Sequence, residues 1–493
     1  MVLVVSCSGS DGSEGAKGDQ GPQGLKGDSG AQEPTGKTGA DGSDGVAGAK
    51  GDVGPAGAAG KNGSTGAQGP TGKDGVDGVG GSQSSDSPTS LPIATFTPVL
   101  PAPTPSHTTT PTSNIPNVQE NEYFPGCSGS GPVDFEHSPM RFEDFSRIDP
   151  YGAVVGAHVT PIDHMYFNMA DLSLGRDAYE VRAIQDGVIY KLQPRDIFVD
   201  TGQPKDREWR MDIAHTCTFH SYFDLLTSLE PSLLAEWEKT KGGATGAWVG
   251  IPIKSGQVVG RIGGQTLDFG VYDYEIVLPG FIFPEHYSAD PWKVHTVDPF
   301  PYFPAEIREV LLQRNLRKVE PLAGKIDHDI DGKLAGNWFE LDTNWYAGVD
   351  WHKYWDGHLS LLPEHIDPTQ WVFSIGHWPG EHDGSGAAQY LIVHPDPNPR
   401  NVDVTNGLVK YELGYFWYCS VEEPERCGHS DSWDRDPTVE LYARHMTENV
   451  RELITGVALV QMLGDRLLKV EAFPGMKADD VEGFTSAAKL YER

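Results

Sequence analysis

Glycine at every third position but one from Gly9 to Gly81, a Pro/Ser/Thr-rich stretch after it, and then short β-type runs bounded by Gly, Pro and Asp predict a molecule of two unlike parts. The first is a triple-helical stalk. The second is a mainly β globular head with few helices. Of 493 residues, 59 are glycine, and the formal net charge is −32. Such acidity excludes a general nucleic-acid binder, which needs a basic footprint. No apolar run approaches the ~20 residues that span a bilayer. Any membrane attachment is therefore expected through a lipid anchor alone.

The stalk is the strictest pattern in the chain. Residues 9–81 hold glycine in 24 of 25 third-position slots, with Glu33 in the odd one and the phase unbroken. Only glycine fits at the axis where three polyproline-II-like chains meet, which is the collagen triple helix. A flexible glycine-rich linker has no reason to keep phase over such a length. Pro22, Pro34, Pro55 and Pro70 all follow the axial slot directly, and none stands in the third position of a triplet. In that respect the repeat resembles bacterial collagen-like surface proteins, which lack hydroxyproline. Lys17-Gly18-Asp19, Lys26-Gly27-Asp28 and Lys50-Gly51-Asp52 place opposite charges where staggered chains can pair them. Each exposed pair contributes about 0–1 kcal/mol, so only their number matters. At a rise near 3 Å per residue the rod would be roughly 200 Å long. The expected partner is the chain itself, as a homotrimer.

Residues 1–8 read as a truncated signal with a lipobox. Val4-Val5-Ser6-Cys7 resembles the acylation site of bacterial lipoproteins, with Cys7 as the lipidated residue. Only Val2–Val5 precede it, whereas a secretory signal needs a basic start and 7–15 apolar residues. Either the start codon lies upstream or the match is chance. From Ser82 to Val118, 23 of 37 residues are Pro, Ser or Thr. Residues 82–122 are accordingly a linker that buries no core.

Composition changes near Tyr123. The remainder carries 57 acids and 32 bases, together with all 12 tryptophans. Its length suggests two domains, 123–320 and 321–493, divided near Val319–Gly324. Gly187–Leu192, Gly250–Ile253 and Gln389–Val393 read as strands. Helical periodicity is expected at Phe223–Lys241, Ala305–Leu316 and Thr438–Ile454. With Cys7 set aside, four cysteines remain, an even number suited to a secreted chain. Cys419 and Cys427, close in sequence, make the first bridge expected and Cys127 with Cys217 the second, although four cysteines allow three pairings.

Chemistry concentrates in Gly156-Ala-His158-Val-Thr-Pro-Ile-Asp163-His164, followed by His215, His220, Asp224 and Thr266-Leu-Asp268. Two histidines and an aspartate within seven residues are first-shell zinc donors by type. Taken in order, residues 149–277 resemble the lysostaphin-type (LytM-like) zinc endopeptidases. Asp186-Gly187-Val188-Ile189 matches that family's Gly-x-Val strand, and Lys254–Gly260 matches its Gly-Gln-x-Ile-Gly turn. The resemblance implies an antiparallel β-fold and a zinc site at His158 or His164, Asp163 and Asp268. The departures are chemical. Four residues separate His158 from Asp163 where the family has three. Asp224 stands at the histidine of Tyr-Ala-His-Leu, and Thr266-Leu-Asp268 stands at His-x-His. A zinc-bound water without those proton carriers is a poor hydrolase. His215 and His220 are the substitutes to consider if the domain is active. The alternatives are a metal-free scaffold with hydrogen-bonded histidines, a metal site without catalysis, and an active hydrolase.

In the last domain, which resembles no family, Asp327-His-Asp329-Ile-Asp331-Gly332 matches the opening of a calcium loop. Its twelfth position is Trp338 rather than Glu, so an ordinary acidic turn is the competing reading. Zinc is thus the first cofactor to expect and calcium the second. Trp338, Trp345, Trp351, Trp355, Trp371 and Trp378 stand among acids and histidines. Such rings stack on sugars when exposed and fill cores when buried. The leading function is cell-surface display, adhesion or envelope structure by an extracellular, lipid-anchored protein with a non-catalytic head and an envelope or extracellular ligand. A zinc-dependent cell-wall hydrolase is the alternative, and a calcium- or carbohydrate-binding head the next.

Overall fold

The computed structural model describes residues 127–196, 207–240, 247–380, 386–448 and 451–493. The glycine repeat, the linker and Cys7 lie outside the described residues. The first half of the head contains β1 (Phe145–Asp149), β2 (Met165–Met169), β3 (Tyr179–Arg182), β4 (Gly187–Asp196), β5 (Arg207–Ala214), β6 (Phe219–Leu226), β7 (Ser228–Leu229), β8 (Ala247–Ile253), β9 (Val258–Ile262) and β10 (Leu267–Asp273). Seven form an antiparallel sheet in the order β1-β2-β10-β6-β5-β4-β8, and β3, β9 and β7 form a smaller one.

Successive side chains of a strand point to opposite faces, and here that period sorts the large sheet by polarity. Met165, Phe167 and Met169 of β2, Leu267, Phe269 and Val271 of β10, and Met211 and Ile213 of β5 enter the main apolar core. The residues between them, Tyr166, Asn168, Asp268, Tyr272, Arg210 and Asp212, take the other face and are buried too. Two helices add to the core, α1 (Pro231–Thr240) through Leu233 and Trp237 and α2 (Ala305–Arg314) through Leu311. Each such side chain stabilises the fold by about 1.5–3 kcal/mol when fully buried.

Two of the expected helices are corrected. Within Phe223–Lys241, residues 223–226 close β6, where Phe223 pairs with both β5 and β10, and the helix starts only at Pro231. Proline is suited to that first helical position because its missing N–H has no helical partner there. Over the described part of Thr438–Ile454 the chain is strand, not helix. Leu441 and Ala443, two residues apart, are the buried pair of β18 (Leu441–His445, numbered in order below), a period of two rather than 3.6. The third expected helix forms and ends two residues early, at Arg314.

The second half adds β11 (Gly336–Glu340), β12 (His358–Pro363), β13 (Trp371–Ile375), β14 (Ala388–Val393), β15 (Leu408–Gly414), β16 (Phe416–Ser420), β17 (Cys427–Gly428), β18, β19 (Thr447–Glu448), β20 (Arg451–Glu452), β21 (Ile454–Gly464), β22 (Leu467–Pro474) and β23 (Lys489–Glu492). Strands β11-β12-β13-β14-β15-β21-β22-β23 close into an antiparallel barrel, joined where Phe339 and Glu340 pair with Glu492 and Tyr491. Closure leaves no free edge. Leu359 and Leu361, Phe373 and Ile375, Tyr390 and Ile392, Tyr411 and Leu413, and Val460 and Met462 alternate into a filled interior. Trp338 lies there as core, with Nε1 donating to Leu334 O at 2.8 Å. Arg493 lies over its ring, centroid distance 4.1 Å, and donates to Ala335 O at 2.6 Å.

Among the described residues, disulfides join Cys127 to Cys217 and Cys419 to Cys427. The two halves share a core: Phe339 and Tyr346 of the second belong to the apolar cluster of the first. Asn337 ties them further, donating to Tyr287 Oη at 2.9 Å while accepting from Ser360 Oγ at 2.8 Å.

One glycine shows how closely the polar face is packed. Gly270 of β10 stands opposite Tyr222 of β6, and a Cβ on it would lie 2.1 Å from that ring. Its bare backbone lets Tyr222 stack beside Tyr272, with centroids 5.3 Å apart and 14° between planes. Tyr222 is 1% exposed and is further held by Arg210 over its ring, centroid distance 3.9 Å. Gly270→Ala should therefore cost about 1–3 kcal/mol through overpacking, read as a lower midpoint in thermal unfolding.

Candidate functional site

The strand order β2-β10-β6-β5-β4 lays the polar residues of five strands side by side. Tyr166, Asp268, Tyr222, Asp224, Arg210, Gln193 and Arg195 line one cavity of about 540 Å³. Asp268 is in cross-strand register with Asp224 on one side and Tyr166 on the other. The loop between β1 and β2 brings His158, Asp163 and His164 to the same cavity. Gly156, in that loop, is fixed from the barrel: Gln389 of β14 accepts from Gly156 N and donates to Gly156 O, both at 3.0 Å. Gly156 adopts φ +53°, a left-handed conformation that glycine takes without steric cost.

His164 stands between two carboxylates. Its Nδ1 is 3.4 Å from Asp163 Oδ1, and its Nε2 is 3.3 Å from Asp268 Oδ2. Among the described residues neither nitrogen meets strict hydrogen-bonding geometry, and the same holds for Asp268 Oδ1. His164 and Asp268 are 8% and 7% exposed, so these atoms are true interior polar groups. Each unsatisfied one costs about 1–3 kcal/mol.

The environment drives the two carboxyls apart. Burial pushes Asp268 up to about 7, with Asp224 adding to the rise while His164 and the arginines oppose it. Burial also acts to raise Asp163, but the Lys293 ammonium, His164 and Arg210 outweigh it and hold this carboxyl well below the usual range. Lys293 Nζ lies 3.9 Å from Asp163 Oδ1 and donates to Pro161 O at 2.5 Å. His158 is lowered to about 3 by burial, reinforced by His164 and Lys293.

Asp224, at the position where the lysostaphin pattern has a histidine, pairs with Arg195 and lies 3.8 Å from Arg210 Nη1. Arg210 also bonds Asp212 at 2.9 Å and lies over the Tyr222 ring, centroid distance 3.9 Å. Among the described residues no group of three or more His, Cys, Asp or Glu side chains is arranged to hold a metal ion. His158, Asp163, His164 and Asp268 thus share a cavity without sharing a focus, because His164 turns its two nitrogens toward different carboxylates. The residues present do not fit the zinc of the resembled family.

The remaining sequence candidates lie elsewhere. His215 and His220, named as proton carriers, do not line the cavity. His215 Nδ1 donates to Asp186 O at 2.9 Å, and Ser221 Oγ lies 2.8 Å from Nε2. His220 is fully buried between the Tyr190 and Tyr274 rings, at 5.2 and 5.0 Å. The calcium candidates Asp327, Asp329 and Asp331 serve separate structural partners: Asp327 accepts from Gly280 N, Asp329 from Asn337 N, and Asp331 pairs with Arg466. Sequence reading passed over Arg195, Arg210 and Lys293, and it did not place Tyr346, Trp351 and Tyr354 beside them in the cavity lining. The charged Arg210 and Asp212 alternating with buried Trp209, Met211 and Ile213 were the available signal for the arginine.

Several histidines are held neutral inside the head. Burial lowers the fully buried His220 and His358 to about 3, and the partly buried His215 and His328 to about 4. Their folded values lie below the unfolded value of about 6.5. The unfolded chain therefore binds more protons between those limits, and stability falls as pH drops below about 6.5 toward 4. Urea midpoints should decline steeply from pH 7.5 to pH 4.5. A flat profile would count against neutral burial of these rings.

Residues 7–63 match the family model described as the collagen triple helix repeat. No curated protein matches the chain. The molecule accordingly has a collagen repeat near its N-terminus and a mostly β C-terminal region with few helices.

Proposed function

We propose that this is an extracellular display or adhesion protein of a bacterial surface. A homotrimeric collagen-like rod, anchored through acylated Cys7, carries an acidic β head that binds a ligand and does not hydrolyse it. The observation that carries the reading is the collagen repeat at residues 7–63, which continues in phase to Gly81 before the Pro/Ser/Thr-rich linker. Two disulfides in the head suit an oxidising compartment. The antiparallel sheet and the cavity over its polar face are consistent with a lysostaphin-like ancestry. Asp224, locked by Arg195 and Arg210, leaves no free base at the position where that family handles protons.

Two measurements test this. Circular dichroism of residues 9–81 on a trimerising tag should show a cooperative collagen-type melt, and Glu33→Gly should raise its midpoint by removing the one axial obstruction. A monomeric, non-melting spectrum at low temperature would sink the stalk. The purified protein should hold well under one equivalent of zinc by elemental analysis and leave cell-wall cross-bridges intact. Zinc-dependent cleavage lost in Asp163→Ala would overturn the non-catalytic head.

A further inference from the structure

We infer that the cavity over the polar face of the large sheet is a saccharide-binding cleft, with Trp351 as its outer stacking platform and His164 and Asp268 as its inner hydrogen-bonding groups. This rests on the reading of the head as a binding module and names the class of ligand it takes.

Two independent features meet in the cleft. The first is the pair of deeply buried side chains, His164 and Asp268, 3.3 Å apart, whose polar atoms are not fully satisfied among the described residues. Both residues line the cavity, so its inner end is polar and carries a carboxyl that a hydroxyl-bearing ligand can approach. The second is aromatic. The segment after β11 contributes Tyr346, Trp351 and Tyr354 to the same lining. Tyr346 and Tyr354 are fixed against each other at 5.6 Å, whereas Trp351 remains 75% exposed. Its indole packs on the His352 ring, centroid distance 3.5 Å, and leaves most of its surface free for the C–H face of a sugar.

The chemistry narrows the partner. A simple anion gains little, because Arg210 is already answered by Asp212 and Asp224, Arg195 by Asp224, and Lys293 by Pro161 O with Asp163 nearby. An apolar ligand would gain little against a lining that includes Gln193, Asp268 and Asp290. An extended peptide adds to the edge of a sheet. The edges here are β1 and β8, whereas the cavity covers the interior strands. A sugar ring suits what remains: hydroxyls that donate and accept toward mixed polar groups, and a C–H face for an indole.

The test uses the full chain on a glycan array, followed by titration calorimetry with the glycans retained. Wild type should bind a discrete set of saccharides. Trp351→Ala, at an exposed position, should fold normally and weaken binding about tenfold, the loss expected for one stacking ring. Asp268→Asn keeps the shape and should also weaken binding, with an unchanged melting profile excluding misfolding. Absence of any retained glycan, or affinities indifferent to both changes, would overturn the inference, as would capture of peptides in place of sugars. Sedimentation of the same sample separates the two readings. A trimer that retains no glycan removes the saccharide alone, and a monomer that binds glycan through Trp351 removes the stalked display alone.

Discussion

A sheet buried on both faces has to neutralise internally every charge it carries, and the head is organised around that requirement. The seven-stranded sheet solves one face with apolar packing. On the other it places Arg210 against Asp212 and Asp224, beneath aromatic rings that cost little to bury. Removing one member of such a set leaves an uncompensated interior charge, which is far more costly than the pair is stabilising. The same constraint explains why Asp224 is not free: it belongs to the electrostatics of the sheet before it belongs to any ligand. His164 and Asp268 answer each other less completely, at 3.3 Å, and they sit beside the cavity.

What the sequence made legible was what is local. A glycine every third residue needs no tertiary context, and neither do strands bounded by glycine and proline. His158, Asp163 and His164 could be named from spacing and Asp268 from the family resemblance, and all four line one cavity. Their relative geometry was not legible, because it depends on which way His164 turns between two carboxylates that are distant in sequence. Lys293, Tyr346, Trp351 and Tyr354 reach the cavity only through the docking of later segments onto the sheet, and no periodicity encodes that. The two corrected helices fail for a related reason. Phe223–Leu226 and Leu441–His445 carry apolar residues that fit either period, and their pairing with neighbouring strands decides the outcome.

The boundary expected near residue 320 marks a change of architecture, from sheet to barrel, but not a separation of cores. Phe339 and Tyr346 pack into the first cluster, and Asn337 reaches back to Tyr287. The cavity is likewise composite. Its floor comes from the early strands, one wall from the loop before β2, and its aromatic rim from residues after β11.

The clasp of Gln389 on both backbone polar atoms of Gly156 limits how such a head can be inherited. A barrel strand holds the very loop that presents His158, Asp163 and His164. Recombination that exchanged the barrel for an unrelated domain would release that loop and strip the rim in a single event. The glycine repeat, a run of like triplets, can lengthen or shorten by whole triplets without losing phase. A cavity with this loop and this rim needs both halves of the head.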